Sequence, residues 1–532
     1  METEEILFAM VPGFGDGSFV RNLRGALPVG AVLFVWEPDI STFLYVCSLV
    51  NVSDIFLNEG ISIVLGRTDE GGPDPEAELR KHIAYQNIYH ASIIPMPGFE
   101  DGYPDETAQL YSGFKKAIFE LTTDSASRVY FGQHNLECEL LALSQLNDNY
   151  SVLDLMDRIP TRDIPVIIVA AGPSLSKNVK ELKAVGDKAL LVVVSRAAEM
   201  VVENGVRPHL TAVADSLVGE EYLAFDKNRE LLLLMNTKGE MNQQKSYSGK
   251  LIYESVNPAL FPVSRYTRLV YNYPNGGSVA TNAFGLFVTA GFKTVILVGQ
   301  DLAYSNEGFS HINGEREESS SDQLVEGIDG QMIETRGDWM FFLKNNEQII
   351  SMCPETTVID ATEGGALIHG SKVMKLKDAV EIYCRTEYPV GKWLSDIPVG
   401  TEEEKREIGE IVRRHYEGCT LMRTLLDESV RLNRVIVKLY SEGMLGDPAH
   451  ADKCARYDEL YREILTGDRA PLLMEYCDDQ LQLYLKHAMV LEADSDLKKK
   501  LDFECSLFAN MQERNEGLMD YLKKLFPEES FA

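Results

Sequence analysis

A chain of 532 residues with 45% hydrophobic and 25% charged positions has globular composition and is too long for a single core, which suggests about three domains. Its formal net charge of −31 argues against a nucleic-acid backbone or an anionic membrane as the main partner. Any anionic ligand must therefore be held by local positive groups against an unfavourable field. Eight cysteines without a C-x-x-C pair fit a reducing compartment and speak against a zinc module. The start, Met1-Glu2-Thr3-Glu4-Glu5, lacks a basic segment before an apolar run, and no stretch approaches the roughly 18 apolar residues of a membrane span. No signal peptide and no membrane span are expected, and a cytoplasmic location follows.

From Ile6 to about Asn149, short β-rich runs alternate with helical ones: Ile6–Met10, Ala31–Trp36 and Ile61–Leu65. Continuous apolar runs of this length mark strands buried on both faces. Gly13-Phe14-Gly15-Asp16-Gly17 follows the first strand, and Glu37 ends the second. This layout resembles a dinucleotide- or adenosylmethionine-binding turn, but the spacing is not G-x-G-x-x-G, so a packing turn is the preferred reading.

The alternation resumes with strands expected at Pro165–Ala170, Ala189–Val194, Leu210–Ala214, Leu231–Met235, Leu251–Glu254, Thr294–Val298 and Thr356–Ile359. From about Thr401, strand signals stop. Glu402–Tyr416, Leu421–Tyr440, Cys454–Ile464, Leu472–Val490 and Leu497–Leu525 read as amphipathic helices. The expected architecture is α/β: a Rossmann-like domain over 1–149, a catalytic α/β domain over 150–400, and a helical bundle over 401–532.

The central segment carries the chemistry. Its first strand runs into Ala171-Gly172-Pro173-Ser174-Leu175-Ser176, where Gly172 permits close backbone approach and Ser174 or Ser176 can cap a helix. The next strand ends in Ser195-Arg196, with Arg196 a candidate partner for phosphate or carboxylate, or else a surface residue. A third ends in Asp215-Ser216, where Asp215 suits a ribose hydroxyl, a metal or a plain turn cap. Gly276-Gly277-Ser278 opens a helix that leaves backbone N–H groups for an anion. Val298-Gly299-Gln300-Asp301-Leu302-Ala303-Tyr304 then places a carboxylate at the tip of a buried strand, as ligand sites of open α/β sheets do. No histidines or carboxylates show metal-ligand spacing, so no essential metal is expected.

Together with Ile359-Asp360-Ala361-Thr362-Glu363-Gly364-Gly365-Ala366 and Ile368-His369-Gly370, these motifs resemble the motility-associated factor (Maf) glycosyltransferases in order and spacing. The resemblance is close over the central domain, and the three-part layout matches along the whole chain. It implies a cytoplasmic enzyme that moves a nonulosonic acid, such as pseudaminic or legionaminic acid, from its CMP-activated form to serine or threonine of flagellin. The central domain is also similar, more distantly, to bacterial sialyltransferases. Carried onto this sequence, Gly172 and Ser174 line the CMP site, and Gly276, Gly277 and Ser278 face the leaving phosphate or the sugar carboxylate. Ser195, Arg196, Asp215, Ser216, Gly299 and Gln300 extend the donor-binding set, and Thr362, Glu363 and Gly364 either face the same pocket or form a structural turn before a helix at Leu376–Tyr383. His311 is the preferred base, with Asp301 orienting a loop or sugar hydroxyl and Tyr304 donating a hydrogen bond to the phosphate. The C-terminal helices are expected to pack as a bundle and to recognise flagellin. Two alternatives stand beside this reading: an ATP-dependent hydroxymethylpterin diphosphokinase-like enzyme, which shares the central domain, and a flagellin-binding chaperone without catalysis.

Overall fold

The computed structural model describes residues 6–28, 30–68, 71–84, 87–214, 231–254, 256–267, 277–305, 308–311, 323–484 and 497–531. Two compact units divide the chain: Met1–Gln133 with His415–Tyr521, and His134–Arg414 with Leu522–Ala532.

In the first unit, β1 (Phe8–Pro12), β2 (Val32–Glu37), β3 (Ile61–Leu65) and β4 (Ala91–Ile93) form a parallel sheet in the order β3-β2-β1-β4. Alternate side chains supply two cores. Ala9, Val11, Leu33 and Val35 pack on one face, and Phe8, Met10, Phe34 and Trp36 on the other. That two-sided burial is why the runs are continuously apolar rather than alternating. The short strand β4 carries too little apolar signal to stand out in the sequence.

The Gly13–Gly17 turn is a packing turn. Gly13, Gly15 and Gly17 all have positive φ. A Cβ on them would lie 2.5 Å from Phe99 Cδ2, 2.3 Å from Met96 Sδ and 2.8 Å from Ile55 Cδ1 respectively. Glu37 is buried, its carboxylate accepting the Phe14 amide at 3.0 Å and the Asp39 amide at 3.1 Å. Burial raises its pKa. The acid that could have held a ribose instead holds the turn.

The described C-terminal helices include Glu402–Ser441, Ala451–Thr466, Pro471–Tyr476 and Leu497–Leu525; the helix expected over Leu472–Val490 is interrupted at Cys477, and residues 485–490 lie outside the described residues. Glu402–Ser441 is a single helix where the sequence suggested two, split around Gly418. A Cβ at Gly418 would stand 2.4 Å from the Arg469 carbonyl, so the glycine serves close packing rather than a helix break. Bundle packing in the first unit includes a buried relay: Asn433 Nδ2 donates to Tyr457 Oη at 2.8 Å, and that hydroxyl donates to Glu504 Oε2 at 2.8 Å. Among the described residues no helix is long and apolar enough to cross a membrane.

The second unit is built on nine parallel strands: β5 (Tyr150–Ser151), β6 (Val166–Val169), β7 (Leu190–Val194), β8 (Leu210–Val213), β9 (Leu232–Met235), β10 (Leu251–Tyr253), β11 (Thr294–Val298), then β14 (Thr357–Asp360) and β15 (Lys372–Val373). Between β11 and β14, β12 (Gln323–Glu326) and β13 (Met332–Thr335) form an antiparallel hairpin. The sheet order is β15-β14-β11-β6-β7-β8-β9-β10-β5. From β6 the chain steps outward through β7 to β10, then returns to place β11 on the other side of β6. That reversal makes β6/β11 the topological switch point, where the crevice beyond the strand ends is open to a ligand.

Candidate functional site

The turns leaving β6 and β11 meet at that switch point. The Gly172 amide donates to the Gly299 carbonyl at 2.8 Å. A Cβ at Gly172 would lie 1.9 Å from Asp301 Oδ2 and 2.4 Å from the Gly299 carbonyl, so only glycine fits. Ser174 neither caps a helix nor faces outward. Its hydroxyl donates to Asp301 Oδ2 at 2.7 Å, and its amide lies 3.2 Å from Oδ1. Ser176 likewise makes no cap, since its hydroxyl donates to the Pro173 carbonyl. Asp301 is 6% exposed, and its carbonyl accepts the Ala366 amide at 2.7 Å. Burial pushes its carboxyl up to about 6, against the opposing pull of the Ser174 hydrogen bonds and the Lys177 charge.

Asp360 at the tip of β14 is a second buried acid beneath the site, also pushed up to about 6 by burial. Its Oδ1 accepts the Thr362 amide at 3.0 Å, and among the described residues no donor reaches Oδ2. Thr362 is fully buried, with Oγ1 accepting the Gln300 amide at 3.3 Å. Glu363 adopts a left-handed φ of 60° and turns its carboxylate inward. There it accepts from Asn178 Nδ2 at 3.2 Å and from the Leu376 amide at 3.1 Å, which anchors the start of the helix Leu376–Tyr383. Leu302 also has a left-handed φ, 49°. Non-glycine residues rarely sit there, and both positions flank the site.

Two cavities open above this floor. The first, about 570 Å³, is lined by the predicted residues Gly172, Ser195, Arg196, Gly277, Ser278, Gly299 and Gln300. Ser195 is buried and Arg196 exposed, at the start of the helix Ser195–Glu203. Ser278 is the N-cap of the helix Val279–Thr289, its hydroxyl oxygen accepting the Thr281 amide at 3.0 Å. The hydroxyl is thus spent on the cap. The first-turn amides of Val279 and Ala280, both lining residues, lie beyond the reach of the helix's own bonds. Unbonded first-turn amides at the positive end of a helix dipole are of the kind that suits an anion.

The same cavity has a wall the sequence did not single out. Arg336 lies 4.1 Å over the Trp339 ring, with its Nε donating to Asp338 at 2.8 Å. Phe342, on the same helix (Gly337–Met352), would be struck by a Cβ on Gly277 at 2.7 Å. The signal available was the Asp329-Gly330 hairpin turn, followed by Arg336-Gly337-Asp338-Trp339 at a helix start.

The second cavity, about 720 Å³, takes the predicted residues Ser174, Tyr304, Glu363 and Gly364, with Lys177 and the hairpin residues Ile328, Asp329 and Ile333. Asp301 and His311 line both cavities and form their common wall. His311 Nδ1 is 3.1 Å from Ser310 Oγ, and its ring meets Trp339 edge-on at 6.1 Å. Tyr304 also packs against Trp339, with ring centroids 4.8 Å apart. Asp215, Ser216 and Gly276 lie outside the described residues. Among the described residues, no group of three or more His, Cys, Asp or Glu side chains could hold a metal.

Two comparisons bear on this architecture. Residues 140–307 match the family model described as 6-hydroxymethylpterin diphosphokinase MptE-like. The structure of a MAf glycosyltransferase from Magnetospirillum magneticum AMB-1 is similar, with a TM-score of 0.65 at 16% identity. The likeness covers 98% of this chain and 80% of that one. The likeness is one of overall α/β fold along nearly the whole chain. No curated protein matches the sequence.

Proposed function

We propose that the chain is a glycosyltransferase that moves a nonulosonic acid from its CMP-activated donor to serine or threonine of flagellin. The observation that carries this is the shared wall: a candidate base and a buried acid stand between an anion-binding cavity and a second one at the sheet's switch point. Breaking the sugar–CMP bond puts positive charge on the anomeric carbon and negative charge on the departing phosphate. The amides of Val279 and Ala280 stabilise that phosphate without having to move. Arg196 and Arg336, the latter stacked on Trp339 and paired with Asp338, bring guanidinium groups to this cavity in a chain whose net charge is −31. His311 takes the proton of the attacking hydroxyl. Asp301 acts through Ser174 and its own loop, as a positioning group rather than a nucleophile.

The three-domain division at about 150 and 400, flagellin recognition by the C-terminal helices and a cytoplasmic location belong to the same proposal. So does chemistry that requires no metal. The match to the diphosphokinase-like family model favours one competing reading, pyrophosphoryl transfer from ATP with a metal. Thermal-shift titration separates the two. Stabilisation by CMP and CDP supports the glycosyltransferase, and stabilisation by ATP–Mg²⁺ with no response to CMP overturns it. Co-expression with flagellin and the sugar pathway, read by intact mass, separates either enzyme from a non-catalytic chaperone.

A further inference from the structure

The helix-start amides of Val279 and Ala280 and the guanidinium groups of Arg196 and Arg336 line the 570 Å³ cavity, and none of these four residues lines the 720 Å³ cavity. Its polar groups are largely engaged. The Ser174 hydroxyl is bound to Asp301, the Glu363 carboxylate to Asn178 and the Leu376 amide, and Lys177 Nζ donates to the Glu363 carbonyl at 3.1 Å. Met200, Phe309, Ile328, Ile333 and the Tyr304 ring give it apolar walls. The hairpin that carries two of these is fixed in place. The Ile328 amide donates to Gly365, the Tyr304 amide to Glu334, and the Thr335 hydroxyl to the Leu302 carbonyl at 2.8 Å.

We propose that this cavity is the acceptor site, and that it takes an extended peptide whose hydroxyl-bearing residue is flanked by apolar side chains. The proposal rests on the glycosyl-transfer reading of the first cavity. With the phosphate at the Val279 end, displacement at the anomeric carbon brings the nucleophile from the side away from the phosphate. The common wall of Asp301 and His311 then puts that side in the second cavity. The serine or threonine oxygen bonds to the anomeric carbon. The carbon–oxygen bond to phosphate breaks with its electron pair leaving on CMP, and the hydroxyl proton passes to His311. The hydroxyl enters beside His311 while its neighbours fill the space between Met200 and Ile333. A second nucleotide would find Lys177 as the single lysine or arginine among the lining side chains, already donating to the Glu363 carbonyl, whereas apolar side chains find the Met200, Phe309, Ile328 and Ile333 walls.

The test uses the full-length chain, CMP-pseudaminic acid as donor, and two synthetic peptides: one with serine flanked by leucines, one with serine flanked by aspartates. The leucine-flanked peptide should speed CMP release and gain the mass of the sugar, and the aspartate-flanked one should do neither. Ile333→Trp, and separately Ile328→Trp in the hairpin loop, fill the cavity. Each should cut the peptide-dependent rate about tenfold or more while the CMP dissociation constant stays within about twofold. Two variants guard against one that fails to fold, since retained CMP binding certifies the site. Undiminished peptide stimulation in both variants, CMP binding lost in step with it in both, or a wild type indifferent to either peptide would each overturn the acceptor assignment. A wild type that neither binds CMP nor releases it from the donor would overturn the transfer reading itself, and the acceptor site with it.

Discussion

Replacing Asp360 by asparagine removes a buried acid beneath the candidate site and leaves its shape nearly unchanged. Burial lifts this carboxyl from its ordinary value of 3.8 to about 6 in the folded chain, so the native state holds the proton more tightly than the unfolded one. The stability that follows is fully present below pH 3.8 and is lost as pH rises through about 6. A shift of about two units corresponds to roughly 3 kcal/mol, of which about 2 kcal/mol falls between pH 4 and pH 8. Asparagine keeps an oxygen for the Thr362 amide and puts an NH2 where Oδ2 has no donor among the described residues. Whatever that amide costs is the same at both pH values, so it cancels in the comparison. Asp360 also helps to hold up the Asp301 carboxyl, so removing its charge lowers Asp301 and flattens the profile further. Urea titrations at pH 4 and pH 8 should show the variant losing about 2 kcal/mol less than wild type over that interval. Parallel profiles, within about 0.5 kcal/mol, would refute the claim that this acid titrates inside the fold.

Gly172→Ala should destabilise by about 2–4 kcal/mol and abolish the CMP-dependent thermal shift, because its Cβ meets the Asp301 carboxylate and the Gly299 carbonyl. Gly25→Ala, with open space around it in the helix Ser18–Ala26, should instead gain up to about 1 kcal/mol in the same melt. Gly15→Ala is expected to cost about 1–3 kcal/mol through Met96 and its φ of 57°, with CMP affinity unmoved; weakened nucleotide binding would restore a ligand role to that turn. His311→Ala should lower transfer by about 10²-fold or more with CMP binding within about twofold, and equal sugar occupancy of flagellin would dismiss it as the base.

Local pattern carried the strands far because this sheet is buried on both faces. Apolar runs such as Val166–Val169, Leu190–Val194 and Thr294–Val298 have no other economical place in a folded chain. The helix start at Ser278 was legible for a similar reason, since a capping residue acts within a few residues. The unbroken helix through Gly418 was hidden, because that glycine answers to the Arg469 backbone, far away in sequence.

Through its turns and strand tips, the sequence by itself determined which residues could bear chemistry: Gly172, Ser195, Gly277, Asp301 and His311. Only the tertiary structure decided how they divide. Strand order put β6 beside β11, which brought Asp301 onto Ser174 and set it with His311 between two cavities. Packing also turned Glu363 inward here, and Glu37 inward in the first unit, each to hold backbone amides. A carboxylate's place in the sequence says that it can accept a hydrogen bond. Which donor it meets, and whether water remains beside it, depends on segments brought together from distant parts of the chain.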